Sequence, residues 1–386
     1  MVVLAGVVAL VVFLGAARAA SATLVVDDDG FECPTAAYSE IDDAVGDANP
    51  GDTIVVCPGA YAPATISTRL VVRGFTKKLS ASECENDADA QNTAVNSVVE
   101  GLVVTAGNVT ITGLTLTGAD NGVLVPAGLS SVGVTGNVIE DNTVGINLNG
   151  GFVGADHNCI RHNNEPGSAS GTGIYSDQGL KNASIVANTF AGNDVGAAIT
   201  LVGDGSGSVS GVKVDRNTSR EDGDLISLGG VTNSSITNNT ATGSAGSAIF
   251  IEAENAAILI DKNTLKDGED EGIAIDADGG VENTGLTISN NKITGNDGLG
   301  GADAGLAVYD ASLLSSTISK NTVTANVGDG LHVDVGNTGN LIEKNKLQKN
   351  LGTYDCFDDT SPDNTWKSNK GKTQNQPGLC KGAKTV

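Results

Sequence analysis

Residues 258–276 read ILIDKNTLKDGEDEGIAID, and the short pattern around Asn263 in this stretch recurs along the chain. It returns as LTISNNKIT at 286–294, as STISKNTVT at 316–324 and as NLIEKNKLQ at 340–348. A large aliphatic residue usually stands three positions before the Asn, and another stands two positions after it. The aligned asparagines lie 21 to 30 residues apart and are Asn137, Asn158, Asn188, Asn217, Asn239, Asn263, Asn291, Asn321 and Asn345.

Each repeat also contains a second apolar segment, such as Ile273-Ala274-Ile275 or Leu331-His332-Val333. Alternation with a period of two predicts strands that turn one face inward. Strands this short cannot bury a face alone, so the repeats must stack on one another around a shared aliphatic core. An Asn at a tight bend tolerates unusual backbone angles. Its amide can bond the Asn of the next coil, which predicts a structural Asn ladder inside a parallel β-helix.

The ends of the chain depart from the repeat. Residues 1–22 begin with an uncharged apolar run and end in small residues, which is typical of a signal peptide; the alternative is a membrane anchor. Residues 23–75 are predicted to form an N-terminal cap and first coil, with a helix over Ile41–Ala48 and Ser39 as its N-cap. Coils follow at 76–352, and residues 353–386 lose the repeat and form a C-terminal cap.

Charge and cysteine content limit the partners and the compartment. The chain has 22 basic and 46 acidic residues, a net charge of −24, which excludes generic binding to nucleic acid or anionic lipid. Nothing after residue 22 is long and apolar enough to span a membrane. Six cysteines suggest disulfides and a secreted or periplasmic protein. We expect a monomer with Cys33–Cys57 and Cys356–Cys380 bridges, leaving Cys84 and Cys159; a Cys57–Cys84 bridge is the alternative.

Three further segments, two near the N-terminus and one in the C-terminal tail, give the chain a resemblance to a known family. They are YSEIDDAV at 38–45, PGDTIVVCPGAY at 50–61 and PGLC at 377–380. Together with the Asn-centred coils, they resemble the pectin-lyase-like superfamily, specifically its secreted bacterial, periplasmic copper-protein-D-like branch. The resemblance covers about residues 23–386 and implies an all-β, single-stranded right-handed parallel β-helix. It does not settle activity, because this fold carries lyases, hydrolases, epimerases and adhesins. The enzyme signatures of its polygalacturonase-like and pectate-lyase-like members are absent from the sequence.

One column of acidic residues is the candidate site. Aligning the second strands places Glu252, Asp276, Tyr309 and Asp334 on successive coils, facing outward, with Asp310 beyond them and His332 beside Asp334. Ca²⁺ prefers oxygen ligands, so Glu252, Asp276, Asp310 and Asp334 are the candidate calcium ligands. If the protein were a lyase, His332 and Asp276 would be its catalytic residues. The acidic turns at 221–224, 267–271 and 297–303 are interpreted as solvated loops. With three His and one Met in the chain, a copper site is not expected.

Three functions remain open from the sequence. The first is an exported non-catalytic scaffold that binds carbohydrate or a surface partner through insertion loops near 165–172, 201–210 and 295–304. The second is a Ca²⁺-assisted polysaccharide lyase acting on an acidic polysaccharide. The third is a periplasmic maturation factor for a metalloenzyme. An aromatic-lined groove beside the acidic column would favour a sugar-processing site.

Overall fold

The computed structural model describes residues 21–86, 88–296, 304–360 and 363–386. Nearly all of the predicted signal peptide, residues 1–22, lies outside the described residues, as do Asp297 and Asp303 of the acidic turns. No helix in the described ranges is both long and apolar enough to cross a membrane.

Short parallel strands stack into three long sheets that wrap around one aliphatic core. Sheet A, which precedes the Asn bend in each coil, comprises Thr23–Val26, Thr53–Val56, Val71–Arg73, Thr110–Thr112, Gly133–Thr135, Gly154–Asp156, Ser184–Val186, Lys213–Asp215, Ser235–Thr237, Leu259–Asp261, Thr287–Ser289, Thr317–Ser319, Leu341–Glu343 and Thr365–Lys367. Sheet B, which follows the bend, comprises Gly59–Tyr61, Ser97–Val99, Thr115–Leu116, Val138–Glu140, Cys159–Arg161, Thr189–Ala191, Thr218–Arg220, Thr240–Thr242, Thr264–Lys266, Lys292–Thr294, Thr322–Thr324 and Lys346–Gln348.

Sheet C closes each coil and carries the site described below. Its strands are Ala64–Ile66, Leu102–Val104, Asn121–Val125, Val144–Leu148, Thr172–Ser176, Ile199–Val202, Ile226–Gly229, Ile249–Ile251, Ile273–Ile275, Ala304–Val308, Asp329–Val333, Cys356–Asp358, Thr373–Gln374 and Lys384–Thr385. Two small sheets add Gly150–Gly151, Leu180–Lys181, Val209–Ser210 and Val231–Thr232, and Asn283–Thr284 with Leu313–Leu314. This architecture is the predicted parallel β-helix.

The predicted Asn residues form a buried column at the bend between sheets A and B. Asn263 is typical: its Nδ2 donates to Ile236 O at 2.9 Å and to Asn291 Oδ1 at 3.0 Å. The residue before the Asn is left-handed, with φ of 58° at Lys262. Each Asn therefore satisfies buried backbone and side-chain groups that a sharp bend would leave without partners. The column runs one coil beyond the predicted set, since Asn345 donates to Asn369 at 3.0 Å.

A short helix, α1 (Ile41–Asp47), covers the N-terminal end of the core with Ile41, Ala44 and Val45. Ser39 was the expected N-cap, and that expectation is wrong: Glu40 is at the cap, and it makes no side-chain capping bond.

The C-terminal end of the chain is more than a cap. Strand Thr365–Lys367 pairs in parallel with Leu341–Glu343, so residues 353–386 add further strands to sheets A and C.

Three disulfides tie the described chain together. Two are the pairs expected from the sequence, Cys33–Cys57 and Cys356–Cys380, and the third joins Cys84 to Cys159. The Cys57–Cys84 alternative is wrong, because the segment that contains Cys84 leaves the coil altogether.

That segment forms α2 (Ala81–Glu85), which lies against sheet B. Next to the Cys84–Cys159 bridge, Arg161 is buried and its Nε donates to Glu140 at 2.7 Å. The same guanidinium donates to Cys84 O at 3.1 Å and to Ala88 O at 2.8 Å. Arg161 therefore holds the segment around α2 against sheet B. Because it is buried, its guanidinium is not exposed for catalysis.

Candidate functional site

The outer face of sheet C presents one side chain from each coil. Strand register aligns an outer column of Leu124, Asn147, Tyr175, Thr200, Ser227, Phe250, Ala274, Ala307, His332 and Phe357. Polar residues border this column on both sides. The leading edge, where the chain enters each strand, holds Asp224, Ser247, Glu271 and Asp329. The trailing edge holds Glu252, Asp276, Tyr309 and Asp334, in the register that the sequence predicts.

A groove runs along the first half of this face. A cavity of about 840 Å³ is lined by Asn147, Tyr175 and Thr200, with the insertion loop at 167–170 as one wall. A second cavity of about 540 Å³ is lined by Thr200, Ser227 and Phe250. Both cavities also contact Gly196. They are therefore adjoining parts of one groove that follows the stacking direction of the coils.

Four carboxyl groups, here called the acidic cluster, lie at the end of this groove: Asp224, Glu252, Asp270 and Glu271. Asp224 and Glu252 line the second cavity. Burial raises the pKa of Asp224 to about 7, and the negative charges of Asp270 and Glu252 add to that rise. An acid with such a pKa carries its proton near neutral pH and can donate it to a bound molecule.

Glu271 is the most buried member of the acidic cluster, at 3% exposure. The Tyr309 hydroxyl donates to one of its oxygens, and the Ser247 hydroxyl donates to the other at 3.0 Å. Burial and a hydrogen bond with Asp270 raise the pKa of Glu271. Burial and the neighbouring acid therefore favour the protonated form of Glu271.

His332 lies between the two edges of sheet C. Its Nδ1 is 3.2 Å from Asp329 and its Nε2 is 2.9 Å from Asp334, while its ring stacks on Phe357 at 3.9 Å between centroids. Burial opposes the charged form, but the hydrogen bonds to Asp329 and Asp334 outweigh it and raise the pKa of His332. The ring is therefore held as an imidazolium over more of the neutral range, which makes it a poor general base.

The predicted calcium ligands occupy the expected register, but their carboxylates have separate partners. Asp276 accepts from the backbone of Asp278 at 2.8 Å, and Asp334 binds His332. Asp310 is exposed. Among the described residues, the one group of three or more potential ligands with all its ligand atoms within 4.8 Å of each other lies elsewhere, near the N-terminus. The structure thus does not gather Glu252, Asp276, Asp310 and Asp334 into such a set.

The acidic turns contain buried and partly buried carboxyl groups that the sequence interpretation missed. Asp222 is fully buried and accepts from Asn193 Nδ2 at 2.8 Å, so it continues a second buried column after Asn142, Asn163 and Asn193. Burial raises the pKa of Asp222 to about 7. Asp224 and Glu271 each stand two positions before the first inward-facing Ile of a sheet C strand. Aligning the repeats on that Ile would have placed both on the leading edge.

Comparison with known proteins adds the following. Residues 149–284 and 202–347 match the family model described as the right handed beta helix region, and together these matches span more than half of the chain. No curated protein sequence matches significantly. Among solved structures, the A-module of mannuronan C-5 epimerase AlgE6 from Azotobacter vinelandii is similar at 13% identity, with a TM-score of 0.57, over 86% of this chain and 93% of that one.

Two further structures are similar. One is a mannuronic acid specific polysaccharide family 6 lyase from human gut microbiota, at 12% identity and a TM-score of 0.59, over 92% of this chain and 87% of that one. The other is the catalytic domain of a GH87 α-1,3-glucanase in complex with tetrasaccharides, at 15% identity and a TM-score of 0.62, over 87% of this chain and 68% of that one. At these identities the likeness concerns the fold.

Proposed function

This chain belongs to the right-handed β-helix family, and from that premise we propose that it is an exported protein that binds a neutral glycan in the groove along sheet C. The groove spans the coils from Asn147 to Phe250. With coils about 4.8 Å apart, these five coils give a length of about 19 Å, enough for several sugar rings. Three disulfides in the described residues support export to an oxidising compartment.

Aromatic side chains carry this proposal. Tyr175 lines the first cavity and Phe250 lines the second, three coils apart along the outer column. Apolar faces of this kind, next to a few polar groups, are typical of small-molecule and sugar sites. The acidic cluster at the end of the groove disfavours a polyanionic ligand, because uronate carboxylates would meet the negative charges of Asp270 and Glu252 there. A neutral chain avoids that repulsion.

Binding can be tested by isothermal titration calorimetry with neutral and uronic oligosaccharides. A Tyr175→Ala variant should lose at least tenfold in affinity for the neutral glycan that binds the wild type. A Phe75→Ala variant is the matched control, since Phe75 is 52% exposed and lies outside the groove. Binding of uronic chains alone, or equal loss in both variants, would contradict the proposal.

A second candidate function is cleavage of the bound glycan by the acidic cluster. The specific observation is Asp224, whose raised pKa suits a general acid, next to Glu252, which lines the same cavity. In glycoside hydrolysis one carboxyl group protonates the leaving oxygen, and a second carboxylate acts as base or nucleophile. The lyase alternative would need a base, and the hydrogen bonds to Asp329 and Asp334 raise the pKa of His332, so this residue would act as a base only at higher pH.

Release of reducing ends from neutral polysaccharides measures cleavage. We expect Asp224→Asn to abolish release while keeping glycan affinity, and Asp43→Asn, at an exposed position of helix α1, to leave release unchanged. Wild-type rates should fall as pH rises above about 7, because Asp224 then loses its proton. Retained activity in Asp224→Asn, or unsaturated products from uronic chains that require His332, would reject this assignment.

A further inference from the structure

A second acidic site lies at the N-terminal end of the helix, outside the groove. The sequence Asp27-Asp28-Asp29-Gly30-Phe31-Glu32 connects the first strand of sheet A to Cys33. One ligand oxygen from each of Asp27, Asp28, Asp29 and Glu32 lies within 4.8 Å of the others. These four residues are here called the acidic loop.

Local contacts hold the acidic loop in place. Asp27 Oδ2 accepts from the Cys33 backbone at 2.7 Å, and Cys33 is fixed by its disulfide to Cys57. Asp28 Oδ2 accepts from the Ala60 backbone at 3.0 Å. Beneath it, Gly59 has φ of 151°, and a Cβ added there would stand 2.3 Å from Asp28 Oδ1. The backbone therefore leaves room for this carboxylate where a side chain would otherwise be.

One oxygen of the acidic loop is buried without a partner. Asp27 is 3% exposed, and its Oδ1 accepts no hydrogen bond from any described residue. No Lys or Arg in the described ranges forms an ion pair with the four carboxylates. A buried carboxylate oxygen with neither a donor nor a cation carries a free-energy cost in general. A bound cation would remove that cost and balance the four negative charges.

We propose that the acidic loop binds one Ca²⁺ ion. Ca²⁺ takes oxygen ligands at 2.3–2.6 Å, so two ligands of one ion lie at most about 5 Å apart, and the four oxygens, all within 4.8 Å of one another, meet that condition. Mg²⁺ dehydrates reluctantly and is seldom held by several carboxylates of one protein loop, which favours Ca²⁺ here. Softer metals are disfavoured, because the neighbouring sulfur of Cys33 is in a disulfide. Water would complete the coordination.

The ion would join three parts of the N-terminal end. Asp27 directly follows strand Thr23–Val26 of sheet A, Asp28 is bonded to strand Gly59–Tyr61 of sheet B, and Glu32 adjoins the Cys33–Cys57 bridge. The terminal coil of a stacked repeat protein has a neighbour on one side only, so it is the most easily frayed. Calcium bound there stabilises the first coils.

Tyr61 offers an internal probe. Its buried hydroxyl donates to Cys57 O at 2.9 Å, and burial together with the charges of Asp28, Asp27 and Glu32 raises its pKa. A tyrosine this close should sensitise Tb³⁺, which substitutes for Ca²⁺. Excitation of the wild-type protein at the tyrosine band should give Tb³⁺ emission that Ca²⁺ displaces. Tyr61→Phe should lose most of this emission and keep Ca²⁺ binding by calorimetry.

Variants locate the site. We expect calorimetry on the mature protein to give one Ca²⁺ per chain, with affinity at least tenfold lower in Asp27→Asn and in the double variant Asp29→Asn with Glu32→Gln. The double variant changes more exposed residues, so it tests the site even if Asp27→Asn misfolds. Asp43→Asn, in the same cap, is the control. A hundredfold excess of Ca²⁺ over its Kd should raise Tm by roughly 3 °C.

Several results would overturn the assignment. They are no Ca²⁺ binding at millimolar concentration, unchanged binding in the double variant, or loss of binding in Asp276→Asn instead. The last outcome would place calcium on sheet C. Because glycan binding is measured separately with Tyr175→Ala, failure of the calcium proposal leaves the proposed groove function untouched.

Discussion

Replacing Asn263 by Leu tests whether the Asn ladder holds the coils together. Asn263 Oδ1 accepts from the backbone N–H and the Nδ2 of Asn239, at 2.9 and 3.0 Å. Its Nδ2 donates to Ile236 O and to Asn291 Oδ1. Leucine has a similarly branched, somewhat larger side chain and removes all four bonds, so the variant tests the polar contribution of one rung.

The magnitude follows from which groups keep a partner. Asn239 Nδ2 still donates to Val214 O at 3.1 Å, and Asn291 Oδ1 still accepts from the backbone N–H of residue 263 at 2.9 Å. The Asn239 N–H loses its acceptor inside the core, which costs about 1–3 kcal/mol. Adding about 1 kcal/mol for the lost bond to Ile236 gives a loss of about 2–4 kcal/mol in the free energy of unfolding.

Urea denaturation followed by far-ultraviolet circular dichroism measures this loss. The control is Asn92→Leu, an exposed position outside the ladder where the change should stay within about 0.5 kcal/mol. Equal midpoints for the two variants would refute the view that the ladder stabilises the bend. An Asn263→Leu protein as stable as the wild type would show that the core tolerates the orphaned N–H.

Further predictions concern pH and the third disulfide. Asp222→Asn should raise the free energy of unfolding by roughly 1–2 kcal/mol at pH 8 and by less at pH 5. The reason is that the pKa of Asp222 is raised to about 7, so its ionisation destabilises the fold as pH rises from about 4 to 7. Denaturation at both pH values checks this, and an equal effect at both would contradict it. Replacing Cys84 and Cys159 together by Ser should cost up to about 4 kcal/mol, since the bridge spans 75 residues, and a loss below 1 kcal/mol would contradict that reasoning. For His332, the raised pKa means that its ion pairs stabilise the protein fully below pH 6.5 and are lost as pH rises through the folded value. In His332→Gln, Tm should therefore fall less steeply toward pH 9 than it does in the wild type. An unchanged slope of Tm against pH would exclude the His332 ion pairs as the cause of that fall.

The repeated coils could be predicted from the sequence because each one restates the same pattern. Nine aligned Asn residues with flanking aliphatic side chains specify the bend, both adjoining strands and the register of the trailing edge. An individual turn is not repeated from coil to coil, so its sequence gives no such repeated pattern from which to predict its structure. Asp222 and Asp224 were interpreted as surface turn residues from composition, although the stacked coils bury Asp222 fully and Asp224 in part.

Other features depended on contacts that no local pattern encodes. The segment around Cys84 leaves the coil and packs on the outside of sheet B. Cys84 therefore pairs with Cys159, which lies 75 residues away in sequence. The last coil was missed because Thr365-Trp366-Lys367 lacks the aliphatic signature, yet Trp366 Nε1 donates to Asp358 at 2.5 Å and the strand pairs normally. The acidic loop is visible in the sequence as a run of acids. Its orphaned oxygen is a property of three-dimensional packing alone.

The ladder has a direction, which bears on how such a chain can evolve. From Asn137 to Asn345 every ladder amide donates toward the C-terminal neighbour and accepts from the N-terminal one. Each interior coil thus exposes one donor surface and one matching acceptor surface. Unequal recombination that duplicates or deletes a whole coil rejoins a donor to an acceptor and leaves no buried amide unpaired. The length of the cylinder, and with it the reach of its groove, is therefore free to change in steps of one coil during descent.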